Sequence, residues 1–454
     1  MSTQTQARGA TKDGQTGHGG DEAGSAKSTR GRTLLILAGV PFLMVLGNSM
    51  LFPVFPKLQT AIGVGEMQTS LLVTAFSIPA GLLIPVAGYL SDRFGRRVIM
   101  APGVAVFGLG ALIAALSSTF LPSPYVGLIV GRVVQGIGAA GMSQLAMAMA
   151  ADLFGGNARP RALGSIEAAN GLGKVVSPVA GGAVGLIAWF VPFYIFAALS
   201  LPLCLALWVL AREPKGVGTK IAVGKYVSRI TSIFANRGRA LGSGLLAGAA
   251  VMFLLFGTLF FLSETLETRF HMPQFLTGLI LAIPVAAMSG TSYLNGLFLA
   301  RRQPLARAAV LVGLALLVAV MGVLTALHGS RPVMYVAISF LGLGGGLALP
   351  ALNLLITSTA GAQERGLITS LYGAVRFFGV ALGPPTFGVI MKRSESLLFG
   401  AGAAVAGLVL LVAFIWLSSR QLLRPRGGGG DRQGGERRPR AVVAGRRRRG
   451  VPAG

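Results

Sequence analysis

At 454 residues, 53% of them hydrophobic and only 12% charged, with a mean hydropathy of +0.70, the chain is far from the usage of a soluble domain. The 40 Lys and Arg against 14 Asp and Glu would suggest nucleic acid in a soluble chain. Where long apolar stretches alternate with short basic ones, the same excess suits membrane orientation and anionic headgroups, so membrane lipids and no nucleic acid are expected as partners. The lone Cys204 excludes an intrachain disulfide and a four-cysteine zinc site, and three histidines add no ligand cluster, so no metal or other cofactor is expected.

Residues 1–32 are polar, Gly/Ser-rich and lack the apolar core of a cleaved leader, which predicts a disordered cytoplasmic tail. Apolar segments then follow at 33–56, 69–90, 98–119, 124–150, 163–187 and 189–211. After a basic linker, 212–240, come 241–264, 273–299, 307–328, 332–358, 366–391 and 397–418. Each reaches the length of about 18 residues needed to cross a hydrocarbon core. The expected architecture is an all-α membrane protein of twelve transmembrane helices in two six-helix halves, 33–211 and 241–418, with a basic disordered tail at 419–454.

The linker carries Arg212, Lys215, Lys220, Lys225, Arg229, Arg237 and Arg239, whereas the loops on the opposite side hold only Lys57, Arg269, Arg331, Lys392 and Arg393. By the positive-inside rule both termini and the linker are cytoplasmic. The halves also repeat. "SPVAGG" at 177–182 and "GPPTFG" at 383–388 occupy matching places in segments 5 and 11, downstream of Arg161 and Arg365. Repeated halves that hold substrate between them near the midplane are the architecture of many secondary transporters.

The loop after segment 2 reads "GYLSDRFGRRVIM", a charged clamp containing Gly88, Asp92, Arg93, Gly95, Arg96 and Arg97. A generic basic loop would satisfy the orientation rule without this order of Gly, Asp and Gly. The loop resembles the G-x-L-x-D-R-x-G-R-R of the major facilitator superfamily. The resemblance implies a gating role for these residues, with Asp152 at the end of segment 4 as a partner that latches one conformation.

Segment 4 contains "GRVVQGIGAAG". Its G-x-G-x-x-G lies inside a helix-length apolar run with no preceding strand, so it is a close-packing face and not a dinucleotide fingerprint. Arg132 and Gln135 match the R-x-x-Q-G-x-G of the superfamily's drug antiporters, which implies proton coupling for Arg132. An arginine neutralised structurally by backbone or carboxylate is the other reading.

In segment 5, Glu167, Asn170, Gly171, Lys174 and Ser177/Pro178 recur at three or four residues and share one helical face. Such a stripe in lipid would be prohibitive, so it must line a cavity. Lys174 is open to three readings: a salt-bridge partner of Glu167, a substrate or proton site, or a charge snorkelling to water. The same stretch, with Gly173, Ser177, Pro178, Gly181 and Gly182, resembles the antiporter signature G-x-x-x-G-P-x-x-G-G, Ser177 replacing one glycine. That resemblance implies export.

Segment 11, "TSLYGAVRFFGVALGPPTFG", places Arg376 opposite Asn170 in the repeat and near Tyr372 one turn earlier. Two cations with an aromatic ring at the midplane suit anionic, zwitterionic or neutral amphiphiles better than lipophilic cations. Asn48 of segment 1 stands where some cation exporters put an acid. Glu167 is then the carboxylate expected as proton carrier, while Glu264 and Glu267, at the outer end of segment 7, read as interfacial. Asn353 and the glycines 342–346 read as packing features.

No H-E-x-x-H, G-x-S-x-G or phosphate loop occurs in the spans, so no enzyme is expected. The resemblance, which covers the twelve segments, implies a monomeric, multi-pass, proton-coupled antiporter of the bacterial cytoplasmic membrane that exports amphiphilic small molecules by alternating access. The alternative on the same fold is a proton-coupled importer of a sugar or organic acid.

Overall fold

The computed structural model describes residues 18–156, 158–211, 223–359, 365–418 and 422. The tail beyond 422 and the linker residues 212–222, with Arg212, Lys215 and Lys220, lie outside them. The first half contains α1 (His18–Ser49), a 3-10 turn at Phe52–Val54, α2 (Phe55–Ile62), α3 (Glu66–Phe94), α4 (Arg96–Phe120), α5 (Tyr125–Ala139), α6 (Met142–Leu153), α7 (Ala158–Val184) and α8 (Val191–Leu210). The second half contains α9 (Val223–Glu264) with a π-helical turn at Thr265–Arg269, α10 (Gln274–Arg301), α11 (Ala306–Leu327), α12 (Arg331–Thr357), α13 (Arg365–Met391) and α14 (Glu395–Trp416).

The chain is an all-α membrane protein with six crossings in each half. Segment 1 is α1 with α2, segment 4 is α5 with α6, and the others are single helices. Eleven helices among the described residues are long and apolar enough to cross a membrane. The 27-residue α7 is not one of them, because it carries the Glu167, Asn170 and Lys174 stripe. It crosses by facing its own protein, the only setting in which such a helix avoids lipid.

Some boundaries differ from the sequence expectation. Helix α1 reaches back to His18, into the stretch expected to be disordered, because no proline interrupts residues 18–40. Segment 1 breaks at Pro53 and then continues to Ile62, where Gly63 in the left-handed region (φ 69°) ends it. Segment 4 is interrupted at Ala140–Gly141. Helix α9 begins inside the linker, with non-helical backbone at Arg237 (φ −138°, ψ 19°) before the crossing. Gly95 joins α3 directly to α4 at φ 104° and ψ 148°, a conformation that side chains rarely adopt.

Lipid tails are as apolar as leucine, so helices associate through close packing of small residues. Gly110 of α4 lies against the Gly131 carbonyl of α5, and Gly138 against Gly103 and Phe107. The counterpart in the second half is Gly313 of α11 against Gly344 and Ala348 of α12. Likewise Gly181 of α7 lies on the Met50 carbonyl that follows α1, and Gly379 of α13 on the Ala249 carbonyl of α9. The sequence repeat is thus a repeat of interfaces.

At Gly131 an added side chain meets backbone and Ala114, with no flexible neighbour to yield. Gly131→Leu is expected to destabilise by at least about 1–3 kcal/mol, seen as a lower thermal unfolding temperature in detergent. Gly164→Ala, with nothing within 4 Å, should unfold like the wild type.

Candidate functional site

Gly95, residues 154–156 and Ala211 mark one side of the membrane, the linker side; the turns at 63–65 and 121–124 mark the far side. Between the halves lies a cavity of about 840 Å³, its open mouth included. Its polar wall comes from Asn48 and Ser49 (α1), Ser143 and Gln144 (α6), Asn170 and Lys174 (α7) and Arg376 (α13). Its apolar wall includes Met252, Phe256, Met288 and Phe377. Asn48 Oδ1, Gln144 Oε1, Asn170 Oδ1 and Arg376 Nε are buried with no hydrogen-bond partner.

The structure therefore brings together Asn48, Asn170, Lys174 and Arg376 from three helices. Lys174 is half-buried and, among the described residues, forms no ion pair. Glu167 is close enough for its charge to act on Lys174, yet it is exposed and outside the cavity wall. The cause is a divergence of α7 from α10. The two touch at Pro178–Gly278 and at Gly171–Ser289, while Gly164 of α7 and Gly296 of α10, each about two turns nearer the linker side than the Gly171–Ser289 contact, have nothing within 4 Å.

Tyr372, expected on the wall, lies behind it. The ring is 2% exposed, packs over Gly248 of α9 and donates its hydroxyl to the Leu349 carbonyl at 3.3 Å. The Arg376 guanidinium rests over that ring at 5.4 Å, so Tyr372 positions the arginine from outside the cavity.

Arg132 also stays out of the cavity. It is fully buried, donates to the carbonyls of Leu72 (3.0 Å) and Gly47 (2.7 Å) and to Gln135 Oε1 (3.0 Å), and sits 4.4 Å over the Phe76 ring. One side chain thereby ties α5 to α1 and α3.

The signature glycines do the same for α7. Gly173 packs on Phe42, the Ser177 hydroxyl donates to the Leu46 carbonyl at 3.4 Å, the Pro178 carbonyl faces Gly278 and Gly182 faces Gln274 and Gly278. The motif holds α7 against α1 on one side and against α10 of the other half on the other.

The far side is closed by contacts that cross between the halves. Phe52 meets Phe256 at 5.8 Å and Phe55 meets Phe260 at 6.1 Å between ring centres. Gln59 donates to Glu264 at 2.6 Å, Ser263 to the Phe52 carbonyl at 2.6 Å, and Gln274 to the Pro53 carbonyl at 3.0 Å. Glu264, expected at the interface with water, is 1% exposed, because α2 runs past the predicted end of segment 1 and brings Gln59 over it. Gln59 and Gln274 escaped the sequence reading; the signal for them was amide side chains at the ends of apolar runs.

On the linker side the loop clamp ties together helix ends of the first half. Arg96 pairs with Asp92 at 3.5 Å and with Asp152 at hydrogen-bond distance. Arg97 donates to the Ala211 carbonyl at 3.4 Å and lies over Trp208. Arg93 reaches Tyr89 and the Phe94 ring instead of Asp152. Gly88 faces the Ser370 hydroxyl of α13, so the clamp sits beside an inter-half contact.

Residues 37–384 match the Major Facilitator Superfamily. The chain belongs to this family. It is a multi-pass membrane transporter and not an enzyme. The facilitator is 38% identical to the bacillibactin exporter of Bacillus subtilis (strain 168) over 385 residues, 84% of this chain and 96% of that one. It is 27% identical to the class C tetracycline resistance protein of Escherichia coli over 395 residues, 84% and 94% of the two chains. Among solved structures, a D-xylose-proton symporter superposes with a TM-score of 0.67 at 15% identity, covering 87% of this facilitator and 99% of the symporter. At that identity the likeness concerns fold alone.

Alternating access requires the far-side contacts to open. With Cys204→Ser as background, cross-linking Phe55→Cys to Phe260→Cys, whose rings meet across the far side, with a short bis-methanethiosulfonate reagent is expected to stop transport, and reduction to restore it. Undiminished transport by the cross-linked protein would show that the far side need not open there.

Proposed function

We propose that this facilitator is a proton-coupled exporter of an amphiphilic small molecule. The observation that carries this reading is the cavity between the halves, sealed on the far side by the Gln59–Glu264 and Phe52–Phe256 contacts and diverging toward the linker side between α7 and α10. The relation to a named exporter over most of both chains supports the direction. So does the antiporter signature, whose small residues form the far-side contacts.

The linker side is the cytoplasm, following the excess of basic residues there, and the membrane is the cytoplasmic membrane of a bacterium. Substrate enters from the linker side, binds against the Met and Phe wall, and leaves when the far-side contacts part and the linker side closes. The Asp92–Arg96–Asp152 latch belongs to one of the two states, so its strength biases their populations. Both walls come from one chain, so the unit of transport is a monomer surrounded by lipid. No cofactor is assigned; among the described residues no group of three or more His, Cys, Asp or Glu could hold a metal.

Two carboxylates are assigned to the proton. Closing the far side takes Glu264 out of water, and proton uptake while that side is open spares the cost of burying a charge. Glu167 is exposed in this conformation and its charge acts on Lys174, so a proton there changes the field in the cavity. Arg132 supports the coupling machinery structurally, by holding α1, α3 and α5 together.

The test is proton-gradient-driven transport in inverted vesicles, with bacillibactin, the compound in the relative's name, as the first substrate. Wild type is expected to transport and to stop when the gradient is collapsed. Glu167→Gln or Glu264→Gln is expected to lower the rate at least about ten-fold, equivalent to about 1.4 kcal/mol in the barrier. Full gradient-driven export by both variants would remove the two carboxylates from the mechanism.

A further inference from the structure

The cavity wall contains two cations and, among its lining residues, no carboxylate. Lys174 comes from α7 of the first half and Arg376 from α13 of the second, and their charges act on each other across the space. Like charges held out of bulk water repel and are costly unless a counter-charge completes them. Glu167 acts on Lys174 at least as strongly as Arg376 does, but it lies outside the wall and pairs with neither cation, so the space between the two cations holds no carboxylate of the lining. The Arg376 guanidinium is oriented by the Tyr372 ring beneath it, and its Nε is buried without an acceptor. A planar fork of donors presented this way matches an oxyanion.

The rest of the wall describes the remainder of the ligand. Asn48, at 8% exposure, and the half-buried Gln144 and Asn170 each have an amide oxygen without a donor, which calls for hydroxyl or N–H groups. Phe256, Phe377, Met252 and Met288 offer an apolar, polarisable surface to a ring.

We infer that the transported compound is an organic anion, an amphiphile whose oxyanion is held between Lys174 and Arg376 while its ring lies on the phenylalanine and methionine wall. The inference rests on the reading of this cavity as the transport site and names its substrate class. Because the two cations belong to different halves, the anion also ties the halves together. Its departure removes that tie and leaves two like charges facing each other.

The experiment measures binding to the purified full-length protein in lipid nanodiscs of three probes of one shape: anthracene-9-carboxylate, its methyl ester and 9-(aminomethyl)anthracene. The carboxylate is expected to bind at least about ten-fold tighter than the other two, the scale of a charge-assisted hydrogen bond. Lys174→Gln and Arg376→Gln should each remove about ten-fold of the carboxylate's affinity and leave the ester's within about two-fold. Lys174→Arg should keep the preference for the carboxylate. Equal affinity for the three probes, tighter binding of the amine, or no binding of the carboxylate overturns the inference, and these results need only the wild type.

The same probes in vesicles separate this inference from export itself. Carboxylate-selective binding without movement from the linker side leaves the anion site standing and overturns export. Export of ester and amine as readily as carboxylate overturns the anion site and leaves export standing.

Discussion

Hydrocarbon gives a helix no reward for hiding leucine and no relief for an exposed amide. Those two facts govern the molecule. Association falls to small residues that let backbones touch, as at Gly110 against Gly131 and Gly181 against the Met50 carbonyl. Polar side chains must be placed where protein, not lipid, surrounds them. Arg132 answers both demands, since its guanidinium meets the carbonyls of Gly47 and Leu72 and fastens three helices.

The same constraint makes α7 the central element. A helix carrying Glu167, Asn170 and Lys174 has no stable place at the lipid boundary. Its small-residue end is clamped between α1 and α10 on the far side, and its polar stripe is turned toward the cavity and the linker side. The helix that seals the far side is therefore also the helix that presents charge to the ligand. Movement of α7 against α10 would change access and the setting of Lys174 together, which is the requirement for linking binding to a change of state.

Pseudo-symmetry supplies the scaffold, and departures from it supply the chemistry. The α4–α5 and α11–α12 interfaces repeat, as do α7–α1 and α13–α9. The side chains at the corresponding polar positions do not: Asn170 stands opposite Arg376 in the repeat, and the Asp-Arg pair of the first loop has no counterpart after segment 8. The second half contributes one cation to the cavity and the buried Glu264 to the far-side seal. The first half contributes the latch around Arg96.

Sequence alone determined the class of the chain, its twelve crossings, the repeat, the Gly95 turn, and the shared face of Asn170 and Lys174. These follow from local rules, because segment length, turn geometry and helical period depend only on neighbours in the chain. Only the tertiary structure decided what each face meets. Tyr372 lies on the expected side of α13 yet is covered, because Gly248 of α9 makes room for its ring. Glu167 shares the stripe of Lys174 yet leaves the cavity, because α7 and α10 diverge below Gly171. Glu264 sits at a segment end yet is buried, because α2 continues far enough to bring Gln59 over it. In each case the helical period fixed the direction of the side chain, while the tilt and reach of a distant helix fixed whether it found water, a partner or a wall.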